Sequence, residues 1–296
     1  MNEVEVGGVT AELAAAEGRL LAGLAAHPGV VVAFSGGADS ALVLAAAVRA
    51  LGVQRVLAAT AASDSLPLAE RDPARAYAAS LGVEYRVIDT HEMDRAGYRA
   101  NAGDRCYFCK SELLERLQPL ATERGWQVAT GTNADDLVAG FRPGIRAAAE
   151  RGAITPLADA GLTKAQVRAL SRAWQLPTWD KPAAACLSSR IAYGIEITPH
   201  RLARVERAEA AVRARLGDRV RDLRVRDLGA GAARLELDQA CLAALTDADR
   251  ADLGAVVRAH DFTEVDLRAF RSGSLNDALR PGRTGSAVVP PVGPTG

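Results

Sequence analysis

The feature that most limits how this chain can fold is the alternation, through its first half, of short β-branched runs with helical stretches. Residues 30–34, 54–61, 84–89 and 126–131 read as strands, and residues 41–51, 67–81 and 111–124 as the helices between them. Strands that alternate with helices predict crossover connections, and hence an α/β fold with a doubly wound, mostly parallel sheet and helices on both faces. Aromatics are only 4% of the chain, so aliphatic side chains and alanine have to build its core. In sheets of this kind ligands sit beyond the carboxyl ends of the strands. That rule selects the segments after Phe34, Ala61, Asp89 and Thr130.

Further along, residues 163–175 read as a helix with Thr163 as its N-cap, and Pro177 and Pro182 bracket a non-helical segment. Beyond Gly194 the texture changes. Residues 199–216 form a long charged helix, 222–228 and 234–238 alternate as half-buried strands do, 242–258 read as one helix and 263–270 as a strand. The expected organisation is a nucleotide-binding domain over 1–190, a smaller α+β domain over 191–275, and a Gly- and Pro-rich tail over 276–296 expected to be disordered. The 36 basic and 36 acidic residues cancel, which argues against bulk electrostatic binding of nucleic acid. No apolar run approaches the roughly 20 residues that span a bilayer. Met1–Thr10 has no basic region followed by an apolar one, so a cytoplasmic location is expected. Four cysteines do not make a disulfide framework in a chain of this size.

Between the first strand and first helix lies Ser35-Gly36-Gly37-Ala38-Asp39-Ser40. Gly36 and Gly37 allow close backbone approach to a ligand and positive φ, and the amides opening the next helix favour an anion. Asp39 suits a magnesium ion or a helix cap, and Ser40 can donate to phosphate. No lysine is present, so this is not the common triphosphate loop. Thr60 and Ser63 follow the second strand, and Gly131 and Asn133 the fourth, where each can line the same nucleotide pocket. Asn133 and Asp135 are equally suited to capping a helix.

Cys106 and Cys109 form a C-x-x-C pair that suits a shared metal or cluster, or a redox dithiol. Cys186 lies between Lys181 and Arg190, which can depress its thiol pKa and hold an anionic substrate. Cys241 reads as a small apolar residue on a helix. Three thiols leave a tetrahedral zinc site one ligand short, whereas they suit a cubane iron–sulfur cluster with one open iron.

The string Ser-Gly-Gly-x-Asp-Ser resembles the pyrophosphate loop (PP-loop) of the ATP pyrophosphatase superfamily, which cleaves ATP between the α and β phosphates to make adenylates. The loop, Arg105–Leu113, Gly131–Asp136, Gly161–Lys164, Leu176–Pro182 and Ala185–Arg190 occur in the order seen in the LarE family of ATP-dependent sulfur transferases, across about residues 15 to 270. That resemblance implies adenylation of a carboxylate of a pyridinium dicarboxylate mononucleotide, with ATP and Mg2+, followed by conversion to a thiocarboxylate for a nickel-pincer cofactor. It implies sulfur supplied by a sacrificed cysteine matching Cys186, or by a [4Fe–4S] cluster on Cys106, Cys109 and Cys186, the form favoured here because all three positions are filled. An unidentified sulfide donor and a homo-oligomer are also implied. Arg224, Arg226 and Arg234 resemble the family's late basic motif and would bind the substrate phosphate with Lys181 and Arg190, with Glu206 or Glu209 facing the same cleft; solvated surface charge is the plainer reading of the late residues. Competing expectations are a tRNA thiolation enzyme, which should carry a basic surface, an ammonia-using ligase of the NAD synthetase type, which needs no cysteine triad, and a nucleotide-binding regulatory module.

Overall fold

The computed structural model describes residues 3–138, 143–182, 186–271 and 273–275, with side chains from residue 11 onward. The segment 276–296, expected to be disordered, lies outside the described residues. In chain order the elements are α1 (Glu3–Ala25), β1 (Val30–Ala33), α2 (Ala38–Leu51), β2 (Val56–Ala62), α3 (Arg71–Ser80), β3 (Glu84–Asp89), α4 (Ala96–Arg99), α5 (Arg105–Arg124), β4 (Gln127–Ala129), α6 (Ala134–Val138), α7 (Pro143–Glu150), α8 (Pro156–Asp159) and α9 (Lys164–Ala173). They continue as α10 (Pro199–Leu216), β5 (Leu223–Gly229), β6 (Ala232–Leu237), α11 (Gln239–Ala244), α12 (Asp247–Arg258) and β7 (Glu264–Ala269). Among the described residues no helix is long and apolar enough to cross a membrane.

The chain forms two compact units, Met1–Glu92 with Cys106–Ala184, and Met93–Arg105 with Ala185–Gly296. In the first, a four-stranded sheet runs β3-β2-β1-β4 with every pairing parallel. Val30, Val31, Val32 and Ala33 are all buried, the pattern of a strand covered on both faces. Because side chains alternate across a strand, Val30, Val32, Val56 and Ala58 enter one core with α1, α2 and α9, while Val31, Ala33, Leu57 and Ala59 enter a second with Leu114, Leu117 and Ala121 of α5. This is the doubly wound arrangement the alternation predicts.

Two details differ from expectation in this unit. α5 begins at Arg105, not 111, so Cys106 and Cys109 sit in its first turn. Cysteine and aromatics are only middling helix formers, which hid that turn. α1 carries Val and Gly in its first turns, which masks the Ala16, Leu20, Leu24 stripe that packs it on the core.

In the second unit β5 and β6 are antiparallel, and β7 adds to β6 in parallel. β5 is not half-buried as its alternation suggests: Leu223 through Asp227 are all buried, because α10 packs on the sheet and carries ion-pair partners to it. Asp227, fully buried, accepts from Arg201 and Arg204 of α10. The single helix expected over 242–258 is two. Asp238 caps α11 by accepting from Cys241 N, and Thr246 with Asp249 forms a capping box that restarts the chain as α12, with Leu245 extended between them.

Candidate functional site

The first constellation lies at the carboxyl end of β1. Phe34 N still donates to Ala59 O at 2.8 Å, and the chain then leaves the sheet. Gly36 takes φ +74°, a left-handed conformation that costs any residue with a Cβ, and Gly37 occupies the N-cap of α2. Ser40 Oγ donates to Gly37 O at 3.1 Å and receives Ser35 N at 3.3 Å, which closes the loop on itself. No side chain caps α2 among the described residues. The amides of its first turn and the positive end of its dipole therefore carry no side-chain cap, the arrangement that suits phosphate.

The alternative reading of Asp39 as a helix cap is thus overturned: it stands one residue inside the helix, and its Oδ1 accepts from Asn133 Nδ2 at 3.2 Å. Burial raises the Asp39 pKa above the ordinary carboxylate value, opposed by Lys164, the Asn133 hydrogen bond and Arg168, and reinforced by Asp136. Asn133 also accepts from Asp136 N at 3.2 Å and so starts α6, the capping role the sequence offered for it. Asp135 takes Lys164 N at 2.8 Å and tethers the start of α9, whose Thr163–Gln166 capping box matches the sequence reading.

Gly131 has a steric reason to be glycine. A Cβ there would lie 2.9 Å from Ser40 N and 3.1 Å from Ser40 Cα, backbone atoms of the α2 first turn. The segment after β4 thus packs directly against the phosphate loop. Thr60 Oγ1 donates to Phe34 O at 2.7 Å and is buried, so it fixes the strand end that launches the loop. Ser63 donates to the buried Glu92 carboxylate and touches Ser65 Oγ at 2.7 Å. Lys181 Nζ reaches the loop itself, donating to Gly36 O at 2.9 Å and to Glu70 Oε2.

Sequence reasoning gave no role to Lys164, the last residue of the Gly161–Lys164 motif, and missed Arg168, Glu70 and Glu92. The i, i+4 spacing of Lys164 and Arg168 on α9 was a legible signal for a basic stripe. Glu70 and Glu92 carried none, since each acquires its role only through partners far along the chain.

Cys106 and Cys109 form no disulfide and lie one helical turn apart on α5, Cys106 exposed and Cys109 half-buried. Lys110 lies half-buried beside them; burial lowers its pKa, and the charge of Cys109 and Cys106 as thiolates raises it in part. Cys106 and Cys109 belong to the first unit and Cys186 to the second. Among the described residues no three His, Cys, Asp or Glu side chains stand together as a ready metal site. Two thiols at this spacing nevertheless suit a shared soft metal centre.

The second constellation belongs to the second unit. Cys186, half-buried, opens a 3-10 turn over Leu187–Arg190. Its carbonyl accepts from Ser189 Oγ at 2.7 Å and Arg190 Nη1 at 3.0 Å. Arg190 also makes a two-point ion pair with Glu209, at 2.9 and 3.2 Å, and Glu209 accepts Val225 N at 3.0 Å. Arg224 and Arg226, two apart on β5, share one face with Glu236 and Arg234, their register partners on β6. Arg226 donates to Glu236 at 3.0 Å and to Ser189 O at 3.0 Å. Arg234 pairs with Asp266 at 3.4 Å. Burial, then repulsion from Arg190 and Arg226 against the pull of Glu209, lowers the Arg224 pKa to about 10. The plain reading of Arg224 and Arg226 as solvated surface charge therefore fails, since both are buried. Charged groups gathered at this cost and with this sign suit an anionic ligand.

A family model described as NAD synthase matches residues 22–190. An uncharacterised protein of Synechocystis sp. is 43% identical over 255 residues, covering 84% of this chain and 92% of that protein. The pyridinium-3,5-bisthiocarboxylic acid mononucleotide synthase of Lactiplantibacillus plantarum is 33% identical over 270 residues, covering 91% of this chain and 96% of that enzyme. An NH3-dependent NAD+ synthetase of Methanosarcina mazei is 50% identical over 68 residues, which is 23% of this chain and 27% of that enzyme.

Proposed function

Because the chain belongs to the NAD synthase family of PP-loop enzymes, and within it to the LarE type, we propose that it uses ATP to adenylate a carboxylate of a pyridinium dicarboxylate mononucleotide and then converts it to a thiocarboxylate. The observation that carries the ATP half is the uncapped start of α2 behind Gly36 and Gly37, with Asp39 held beside it by Asn133.

In this reading the loop amides and Lys181 bind the β and γ phosphates, and Asp39 would hold the magnesium ion, which would offset their charge. A substrate carboxylate oxygen attacks the α phosphorus, the bond to the bridging oxygen breaks, and pyrophosphate leaves with the electron pair. The resulting acyl adenylate has a good leaving group where the free carboxylate had none. A sulfur nucleophile then adds to the carbonyl carbon and AMP departs. Arg224, Arg226 and Arg234, with Arg190, supply the cationic face for the substrate phosphate. The partial matches to NAD synthetases fit the shared activation step, because they cover only 23% of the chain in the example above.

Cys106, Cys109 and Cys186 would hold a [4Fe–4S] cluster, which would supply the sulfide. The alternative source is Cys186 itself, whose Cβ–Sγ bond breaks with loss of the α proton to leave dehydroalanine.

The adenylation step is tested with substrate labelled in its carboxylates with oxygen-18. One label should appear in AMP for each pyrophosphate released. AMP without label, or pyrophosphate release that ignores the substrate, would sink the reading.

A further inference from the structure

Lys181 is the one cation recorded on the phosphate loop backbone among the described residues, and it is already engaged. Its ammonium donates to Gly36 O at 2.9 Å and to Glu70 Oε2 at 2.5 Å. Both side chains keep 22% of their surface exposed, so an incoming anion can reach the pair and separating it does not strand a buried charge. The backbone beneath each partner is fixed. Lys181 N donates to Thr178 O at 3.1 Å, and Arg168 holds Trp179 O at 3.0 Å and Lys181 O at 2.9 Å. Glu70 N donates to Pro67 O at 3.0 Å where the chain turns into α3. Only the two side-chain ends are left to move.

They border a cavity of about 430 Å³ lined in part by Phe34, Gly36, Glu70, Tyr77, Thr178 and Lys181. The cavity gives the Glu70 carboxylate room to withdraw.

We propose that Glu70 is an internal competitor of pyrophosphate for the Lys181 ammonium. Resting on the loop's assignment as the pyrophosphate site, this makes Glu70 a positioning residue. With the site empty, it parks Lys181 at the Gly36 carbonyl. A polyphosphate carries more charge than one carboxylate and draws the ammonium away when ATP binds. As pyrophosphate leaves, the tethered carboxylate reclaims the lysine and keeps the product from rebinding. A competitor of this kind weakens binding by the stability of the pair it forms.

The test is equilibrium binding of magnesium pyrophosphate to the full chain, with product inhibition of turnover read alongside. Glu70→Gln should bind pyrophosphate about two- to fivefold more tightly, as expected for a partly exposed ion pair, and be inhibited by it at correspondingly lower concentration. Glu70→Asp, which keeps the charge and shortens its reach, should fall between that variant and the wild type. Lys181→Ala should bind more weakly, and on that background Glu70→Gln should change affinity by less than about twofold, since little is left to compete for. Unchanged or weaker binding in both Glu70 variants, with a wild type that binds pyrophosphate, overturns the competitor role alone. A wild type that neither binds nor releases pyrophosphate overturns the loop assignment, and the competitor role with it.

Discussion

A single carboxylate illustrates how function and stability pull against each other here. Asp39 sits in the first turn of α2, where burial raises its pKa and Lys164, Asn133 and Arg168 only partly compensate. A carboxyl group with a raised folded-state pKa stabilises the fold most fully below its unfolded value of 3.8, and that contribution is lost as pH rises through the folded value. At neutral pH the ionised group is therefore a net cost to the fold, retained in our reading to hold magnesium. Asp39→Asn should raise the midpoint of thermal unfolding at pH 7, with the gain vanishing in acid, while pyrophosphate release falls by about 10²- to 10³-fold. Thermal melts across pH and a pyrophosphate assay check both halves; a melt lowered at pH 7 would show that the desolvation argument is wrong. Asp39 was legible in the sequence because its neighbours Gly36, Gly37 and Ser40 are adjacent to it. Glu70 and Glu92 were not, because their partners Lys181 and Ser63 lie 111 and 29 residues away in the chain.

Among elements, those defined by local rules were readable and those defined by packing were not. β3 was read to its observed ends, and α10 likewise, with Pro199 at its start. The break between α11 and α12 was missed although its cause is local: the Thr246–Asp249 box was lost within a continuous apolar periodicity. β5 was misjudged because its arginines look like solvent-facing residues until Glu209 and Glu236 are brought to them. At the candidate site the segment after β4 packs closely on the start of α2. Gly131→Ala should force them apart, since the contacting atoms are backbone and cannot rotate away. A cost of about 1–3 kcal/mol is expected from overpacking, together with a larger loss in ATP affinity than in affinity for the mononucleotide. Urea unfolding and separate titration of the two substrates measure these effects. Equal loss for both substrates would mean that Gly131 supports the fold at large and not the phosphate loop.

For the molecule as a whole, the sulfur source turns on whether two units act on one centre. Cys106 and Cys109 lie in the turn of α5 that follows Arg105, and Arg105 belongs to the unit that also holds Cys186. Arg105 is buried there, donating to Asn101 Oδ1 at 2.5 Å and Ser188 O at 2.9 Å, so the chain passes from a fixed anchor in one unit straight into the C-x-x-C turn of the other. A cluster shared by Cys106, Cys109 and Cys186, as proposed above, needs all three thiolates, whereas a cysteine sacrificed alone needs neither of the others. Protein purified without oxygen should therefore contain about four irons and four acid-labile sulfides per chain with visible absorption, as a cubane cluster requires. Cys106→Ala, Cys109→Ala and Cys186→Ala should each lose the iron, whereas Cys241→Ala, buried in α11, should keep it. If the wild type is colourless and iron-free, and its mass after one turnover falls by that of hydrogen sulfide, Cys186 is itself the donor. Cys106 and Cys109 would then be dispensable for the first turnover, and Cys106→Ala would retain it.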